Sequence, residues 1–190
     1  LNDINFKTLI NKHIPVNGSQ IFIDKIDLNK LLYIYNWSSK EVQEKMTCRP
    51  IINRNRDESI KLYNSLLNSD TVYIFGLYNL NTKELLGKIT LFDYNSRNKS
   101  LEIGYYLLPK FRKKGYMNEA IKIILNLLFL KTDINKVYAQ TASFNNDSNA
   151  LLKLNNFKLD GVLREHHELN QVFYDDYIYS ILRNEFILSI

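Results

Sequence analysis

Three consecutive cations and a glycine, Arg112-Lys113-Lys114-Gly115, stand between two apolar stretches. Before them, Leu101-Glu102-Ile103-Gly104-Tyr105-Tyr106-Leu107-Leu108 has the make-up of a buried strand. After them, Met117, Ala120, Ile121, Ile124, Leu127 and Leu128 recur at helical spacing. A strand therefore runs into a short basic loop, and the loop opens a long helix. The unpaired N–H groups and positive dipole end of a helix's first turn attract anions. Gly115 lets a ligand approach the main chain closely. The chemistry this arrangement suits is the cradling of a diphosphate. A solvated basic face at an ordinary strand–helix junction is the competing interpretation, and the twelve residues from Pro109 to Ala120 do not separate the two.

Other constellations are missing. The sequence holds no Gly-x-x-x-x-Gly-Lys-Ser/Thr, no Gly-x-Gly-x-x-Gly, no His-Glu-x-x-His and no Cys-x-x-Cys. On a strand, adjacent His166 and His167 point to opposite faces, with no acidic partner at ligand spacing, and His13 stands alone. No metal site is expected.

The elements that must position the loop follow from periodicity and punctuation. Residues 1–18 carry little pattern, and Pro15 and Gly18 interrupt them. A first strand is expected over Gln20 to Ile26, and a short helix through Leu31–Tyr35 ending near Trp37. Ser38-Ser39 with Glu41 suits the cap of a second short helix through about Met46. Asp57 suits the N-cap of a helix carrying Ile60, Leu62, Tyr63, Leu66 and Leu67. Val72–Leu80 and Leu85–Tyr94 form a hairpin about Asn79–Lys83, and a turn at Asn95–Lys99 leads into the Leu101–Leu108 strand. The long helix spans about Lys114 to Leu130. Then come a strand at Val137–Thr141, a helix at Ser148–Leu154, and strands at Phe157–Arg164 and Val172–Leu182. The order predicts one α/β domain over residues 1–190 with an antiparallel first half, residues 1–18 being a leader or a linker from a longer chain.

Composition sets the bounds. The 190 residues are 45% hydrophobic and 24% charged, as in soluble globular domains. A net charge of +5 suits an anionic ligand, and equally nucleic acid or an acidic surface. The single Cys48 excludes an internal disulfide and fits a reducing, cytoplasmic setting. No apolar run reaches the ~18 residues of a membrane span, so no membrane partner is expected.

The loop Arg112-Lys113-Lys114-Gly115-Tyr116-Met117 resembles the Arg/Gln-x-x-Gly-x-Gly/Ala signature of the GCN5-related N-acetyltransferase (GNAT) superfamily, with Met117 in place of the last small residue. Glu102-Ile103-Gly104-Tyr105 followed by Gly115 to Ala120 is similar to the branch acetylating ribosomal-protein N-termini (the RimJ/RimL type). So is Asn145-Asn146-Asp147-Ser148-Asn149-Ala150-Leu151-Leu152-Lys153 closing at Asn156-Phe157, with Asn156 where that branch has Gly. Asn tolerates a left-handed helix cap, so the exchange is mild.

The resemblance implies a mostly antiparallel sheet of about seven strands, splayed in the middle and flanked by helices. It implies acetyl-CoA as co-substrate and no metal. The diphosphate falls to Arg112, Lys113, Lys114, Gly115, Tyr116 and Met117, the pantetheine to the main chain of Tyr106, Leu107 and Leu108, and a further CoA contact to Asn145. Glu102 is implied as the base that takes the amine proton; its alternative role is to hold a neighbouring strand or an arginine. Ser148 is implied as the acid that protonates the thiolate, or as a plain helix cap, with Tyr174, Tyr177 and Tyr179 as substitutes. Trp37 and Tyr94 flank the acceptor side and suit a flat ring, or else belong to the core. The acceptor is a primary α-amine: a protein N-terminus, or an aminoacyl nucleotide as in microcin C self-immunity acetyltransferases. Competing readings are an RNA-binding module and a CoA-binding fold without catalysis.

Overall fold

The structure, a computed structural model, describes residues 6–37 (Trp37 through its main chain alone), 45, 48–49 and 52–188. The helix expected after Ser38-Ser39 lies outside the described residues. Eight strands form one sheet: β1 (Val16–Asn17), β2 (Ile21–Lys25), β3 (Tyr73–Asn79), β4 (Leu85–Asn95), β5 (Ser100–Leu107), β6 (Lys136–Ala142), β7 (Lys158–Leu169) and β8 (Val172–Leu182). Their spatial order is β1-β2-β3-β4-β5-β6-β8-β7. Every pairing is antiparallel except that of β5 with β6. The helices are α1 (Phe6–Asn11), α2 (Leu28–Trp37), α3 (Arg56–Asn68), α4 (Tyr116–Lys131), α5 (Asn146–Leu154) and α6 (Arg183–Ile187), with a 3-10 turn at Pro109–Phe111.

The parallel contact between β5 and β6 is short. Register holds for Ser100 with Lys136, Leu101 with Val137 and Glu102 with Tyr138, and stops there. Meanwhile β4 stays paired with β5 up to Leu107, and β6 with β8 up to Ala142 opposite Asp176. The sheet therefore splays beyond Glu102, as the family resemblance implied. The main-chain groups facing the gap lack a strand partner there.

Helix α4 is apolar on most of its circumference because it fills the sheet face. Ala120, Ile121, Ile124, Leu128 and Phe129 are fully buried. Its C-terminal carbonyls are closed by Arg183, whose guanidinium donates to Phe129 O, to Ile134 O at 2.8 Å and to Thr132 O at 2.6 Å. At the other end Glu119, in the first turn, accepts from Ser19 N–H and from Gln20 N–H at 3.0 Å, tying α4 to the β1–β2 turn.

Several expectations change. Residues 6–18, given no pattern, form α1 and the short β1, and Phe6 and Ile10 reach the core. Two buried side chains one turn apart are too weak a periodicity to notice. Adding β1 makes eight strands rather than about seven. The N-cap of α3 is Asn55, not Asp57: Asn55 Oδ1 accepts from Glu58 N–H at 2.9 Å, and Glu58 returns the bond to Asn55 N–H at 2.9 Å. That reciprocal capping box outcompetes a single carboxylate two residues on. At the end of α5, Asn156 takes the left-handed conformation (φ 62°) that its place before Phe157 implied.

Candidate active site

Gly115 is the N-cap of α4, with φ 83° and no side chain to cap the helix. A Cβ built at Gly115 meets no atom within 4 Å, so the loop main chain faces open space. This is where an anion can approach the first N–H groups of α4. Lys113 also has positive φ, 59°, so the turn curls tightly around the opening.

That opening is one end of a cavity of about 810 Å³. Its wall runs along β5 through Ile103 to Leu107, around Arg112, Lys113 and Gly115–Asn118, and back along β6 and α5. Of the residues assigned to the cofactor, Tyr106, Leu107, Arg112, Lys113, Gly115, Tyr116, Met117, Asn145 and Ser148 all line it.

Two of the set stand apart from the lining. Lys114 reaches over the Phe111 ring, 5.8 Å from its centroid. Leu108 is buried, and its N–H donates to Leu86 O at 2.9 Å. Main-chain direction alternates along a strand. With Leu108 turned toward β4, the groups aimed into the splay belong to Ile103, Tyr105 and Leu107. Of the main chain from Tyr106 to Leu108, that of Leu107 therefore faces the gap, and Tyr106 lines the cavity. Arg112 is partly committed to structure: its Nε donates to Leu107 O at 3.1 Å, and its guanidinium lies over Tyr106 at 5.5 Å.

Ser148 sits in the first turn of α5, which Asn145 caps by accepting from Ser148 N–H at 3.2 Å. Asn145 therefore serves as a cap as well as a cavity wall. The Ser148 hydroxyl is 2.7 Å from the Tyr105 hydroxyl, and both residues line the cavity. Burial pushes the Tyr105 phenol up to about 12, keeping it a proton donor at neutral pH. Tyr105 was missed in the sequence. Its only signal is alternation, which sets it on the opposite face of β5 from Glu102. The tyrosines offered as substitutes lie elsewhere: Tyr174 packs edge-on against Phe144, and Tyr177 and Tyr179 pack against each other, with Tyr179 buried.

Glu102 is buried on β5, its carboxylate 2.5 Å from Arg49, which also holds Asp93 at 2.9 Å. Arg49 lies over the Phe92 ring, 4.5 Å from its centroid. Glu102 thus holds an arginine, the alternative role foreseen for it. Its pKa is nevertheless raised to about 7, because burial outweighs the attraction of Arg49 and Asp93 adds repulsion. A carboxyl balanced between its two forms near neutrality is suited to proton transfer. Holding the arginine and taking a proton are compatible. The ring of Tyr94 is stacked on Phe6, 4.3 Å between centroids and 13° between planes. One of its faces is therefore occupied by the core, because α1 supplies an aromatic partner the sequence did not reveal. The Trp37 side chain lies outside the described residues.

The fold also gathers donors that sequence spacing could not pair. His167 on β7, Asp176 on β8 and Cys48 offer ligand atoms that all lie within 4.8 Å of one another. His166 is exposed and His167 buried, as alternation predicts, but an acidic partner does exist, across the β7–β8 hairpin.

The site is thus a sheet opened at its centre, with an open helix start at one end and two hydroxyls along the gap. The chain belongs to the acetyltransferase (GNAT) domain family, which it matches over residues 22–158. It is similar to the N-acetyltransferase YoaA of Bacillus subtilis, 30% identical over 57% of this chain and 62% of YoaA. The ribosomal-protein-serine acetyltransferase of Escherichia coli is 26% identical over 51% of this chain and 54% of that enzyme. The chain thus spans little more than half the length of either relative. Among solved structures, the spermidine N-acetyltransferase of Vibrio cholerae, in complex with CoA and spermine, superposes with a TM-score of 0.81. It is 22% identical and covers 90% of this chain and 99% of that one.

Proposed function

We propose that the domain transfers the acetyl group of acetyl-CoA to a primary α-amine, with a protein N-terminus as the acceptor. The observation that carries this is the continuous cavity joining the Gly115 loop to the Tyr105–Ser148 hydroxyl pair along unpaired β5 main chain. The residues present fit an extended thioester with a diphosphate. An open glycine turn at a helix start takes the diphosphate, and β5 main chain without a strand partner runs along the gap.

Acetyl-CoA supplies an activated carbonyl and a thiolate leaving group. The N–H groups of β5 in the splay stabilise negative charge on the carbonyl oxygen. Glu102, directly or through a water, accepts the proton that the amine loses. The Ser148 hydroxyl, polarised by Tyr105, returns a proton to the thiolate sulfur. The N-terminal acceptor is supported by the similarity to the ribosomal-protein-serine acetyltransferase. An aminoacyl nucleotide is the second reading. It rests on Trp37 as a stacking surface, since Tyr94 already stacks on Phe6.

The test measures thiol release with acetyl-CoA against a panel of short peptides of varied N-terminus, polyamines and aminoacyl nucleotides, with mass spectrometry locating the acetyl group. Acetylation of a peptide α-amine well above the polyamines and nucleotides supports the reading. Turnover of nucleotides or polyamines alone overturns the acceptor, and no turnover with any amine overturns the whole.

A further inference from the structure

Asp176 is a buried carboxylate with 0% exposure. Gln140 Nε2 donates to its Oδ2 at 2.7 Å, and among the described residues Oδ1 accepts no aligned hydrogen bond. His167 Nδ1 lies 3.4 Å from Oδ1. Cys48 brings its sulfur to the same spot, within 4.8 Å of both. His167 is 6% exposed, and Phe144 packs edge-on against its ring at 5.0 Å. A carboxylate oxygen without an aligned hydrogen bond, an imidazole nitrogen and a thiol thus converge at one spot, where burial and the neighbouring Asp176 push the thiol up and keep it protonated while no metal is bound.

We propose that Cys48, His167 and Asp176 form a binding site for a divalent metal ion, with zinc as the fitting one. Zinc–nitrogen and zinc–oxygen bonds of ~2.0 Å at tetrahedral angles separate the two ligand atoms by about 3.3 Å. The 3.4 Å from Nδ1 to Oδ1 already matches that edge. A thiolate, a carboxylate and a neutral imidazole around a dication sum to zero charge, which removes the penalty of burying Asp176 alone. On binding, the thiol loses its proton to solvent as the sulfur–metal bond forms. Gln140 holds the oxygen that does not ligate, the outer support that metal-bound carboxylates use. Mixed sulfur, nitrogen and oxygen donors favour zinc over magnesium or calcium, which prefer oxygen alone. Three protein ligands leave the fourth position to water.

The site ties Cys48 to the β7–β8 hairpin. The next residue, Arg49, holds Glu102. A bound ion therefore anchors the segment that sets the Glu102 environment. This is separate from acetyl transfer: the metal takes no part in the reaction.

The experiment uses the whole chain, stripped with a chelator, reduced and desalted, and titrated with Co²⁺ and then Zn²⁺. The expected result is one cobalt per chain, with visible bands of tetrahedral cobalt and a near-ultraviolet thiolate-to-cobalt band, displaced by zinc. Cys48→Ser should lose the thiolate band, and His167→Asn and Asp176→Asn should each weaken zinc binding by about tenfold or more. Zinc should raise the melting temperature of the wild type and not of the variants. Wild type that shows no thiolate band or takes up no stoichiometric zinc overturns the proposal and leaves His167 and Asp176 as neighbouring buried polar side chains. So does Cys48→Ser with an unchanged cobalt spectrum. Should Asp176→Asn fail to fold by circular dichroism, Cys48→Ser, a conservative change at a half-buried position, decides the matter alone.

Discussion

Two side chains on opposite faces of β5 divide the proposed chemistry between them. Glu102 is pushed up to about 7 by burial, so its ionised form grows in through neutral pH. The initial rate should rise with pH through an apparent value near 7, and Glu102→Gln should flatten that limb. A pH–rate profile unchanged by Glu102→Gln would leave amine deprotonation to solvent. The same shift has a stability consequence. A carboxyl whose folded value exceeds its ordinary 4.5 holds its proton longer folded than unfolded. Its contribution is therefore lost as pH climbs from about 4.5 to 7. Glu102→Gln should gain melting temperature relative to wild type on going from pH 5 to pH 8. On the other face, Ser148→Ala should lower kcat by about a hundredfold, the low end for a positioned general acid, with acetyl-CoA affinity kept. Tyr105→Phe should lower kcat in the same direction, because it removes the hydroxyl 2.7 Å from Ser148. If single-turnover rates stay level in both variants, neither hydroxyl serves the thiolate.

At the level of elements, the start of α4 and the end of α5 depend on main-chain conformations that few residues tolerate. Gly115 has φ 83° and faces the cavity. Gly115→Ala should cost about 1 kcal/mol of stability through conformation alone while acetyl-CoA still binds. Gly115→Asp adds a negative charge at the anion site and should abolish binding by calorimetry. Equal affinity in the two variants would move the diphosphate elsewhere. Asn156, at φ 62°, closes α5, the helix that carries Ser148. Asn156→Ala should destabilise the fold by about 1–2 kcal/mol in chemical denaturation, while Asn156→Gly stays near neutral.

Across the whole molecule, the splay of β5 from β6 would, in the proposed reaction, separate a cofactor side from an acceptor side. Trp37 is the last residue of α2. Trp37→Ala should leave acetyl-CoA affinity intact. If the acceptor carries a base, its KM should rise by about one to two decades, as a stacking surface of ~1–3 kcal/mol requires. A small and equal effect on peptide and nucleotide acceptors would return Trp37 to packing.

What the sequence by itself determined is what short-range physics encodes. The strand–loop–helix at Leu101–Leu128 could be located from periodicity and one glycine, because helix starts and left-handed turns are specified within a few residues. The cap at Asn156 and the alternation of His166 and His167 are legible for the same reason. The tertiary structure alone decided which distant groups meet. Tyr105 faces Ser148 across 43 positions, Arg49 reaches Glu102 across 53, and Phe6 covers Tyr94 because α1 folds back on the sheet. Cys48, His167 and Asp176 come within 4.8 Å of one another only once β7 and β8 pair and the fold brings Cys48 to them. Contacts of that span depend on the summed packing of the sheet, and no local spacing records them.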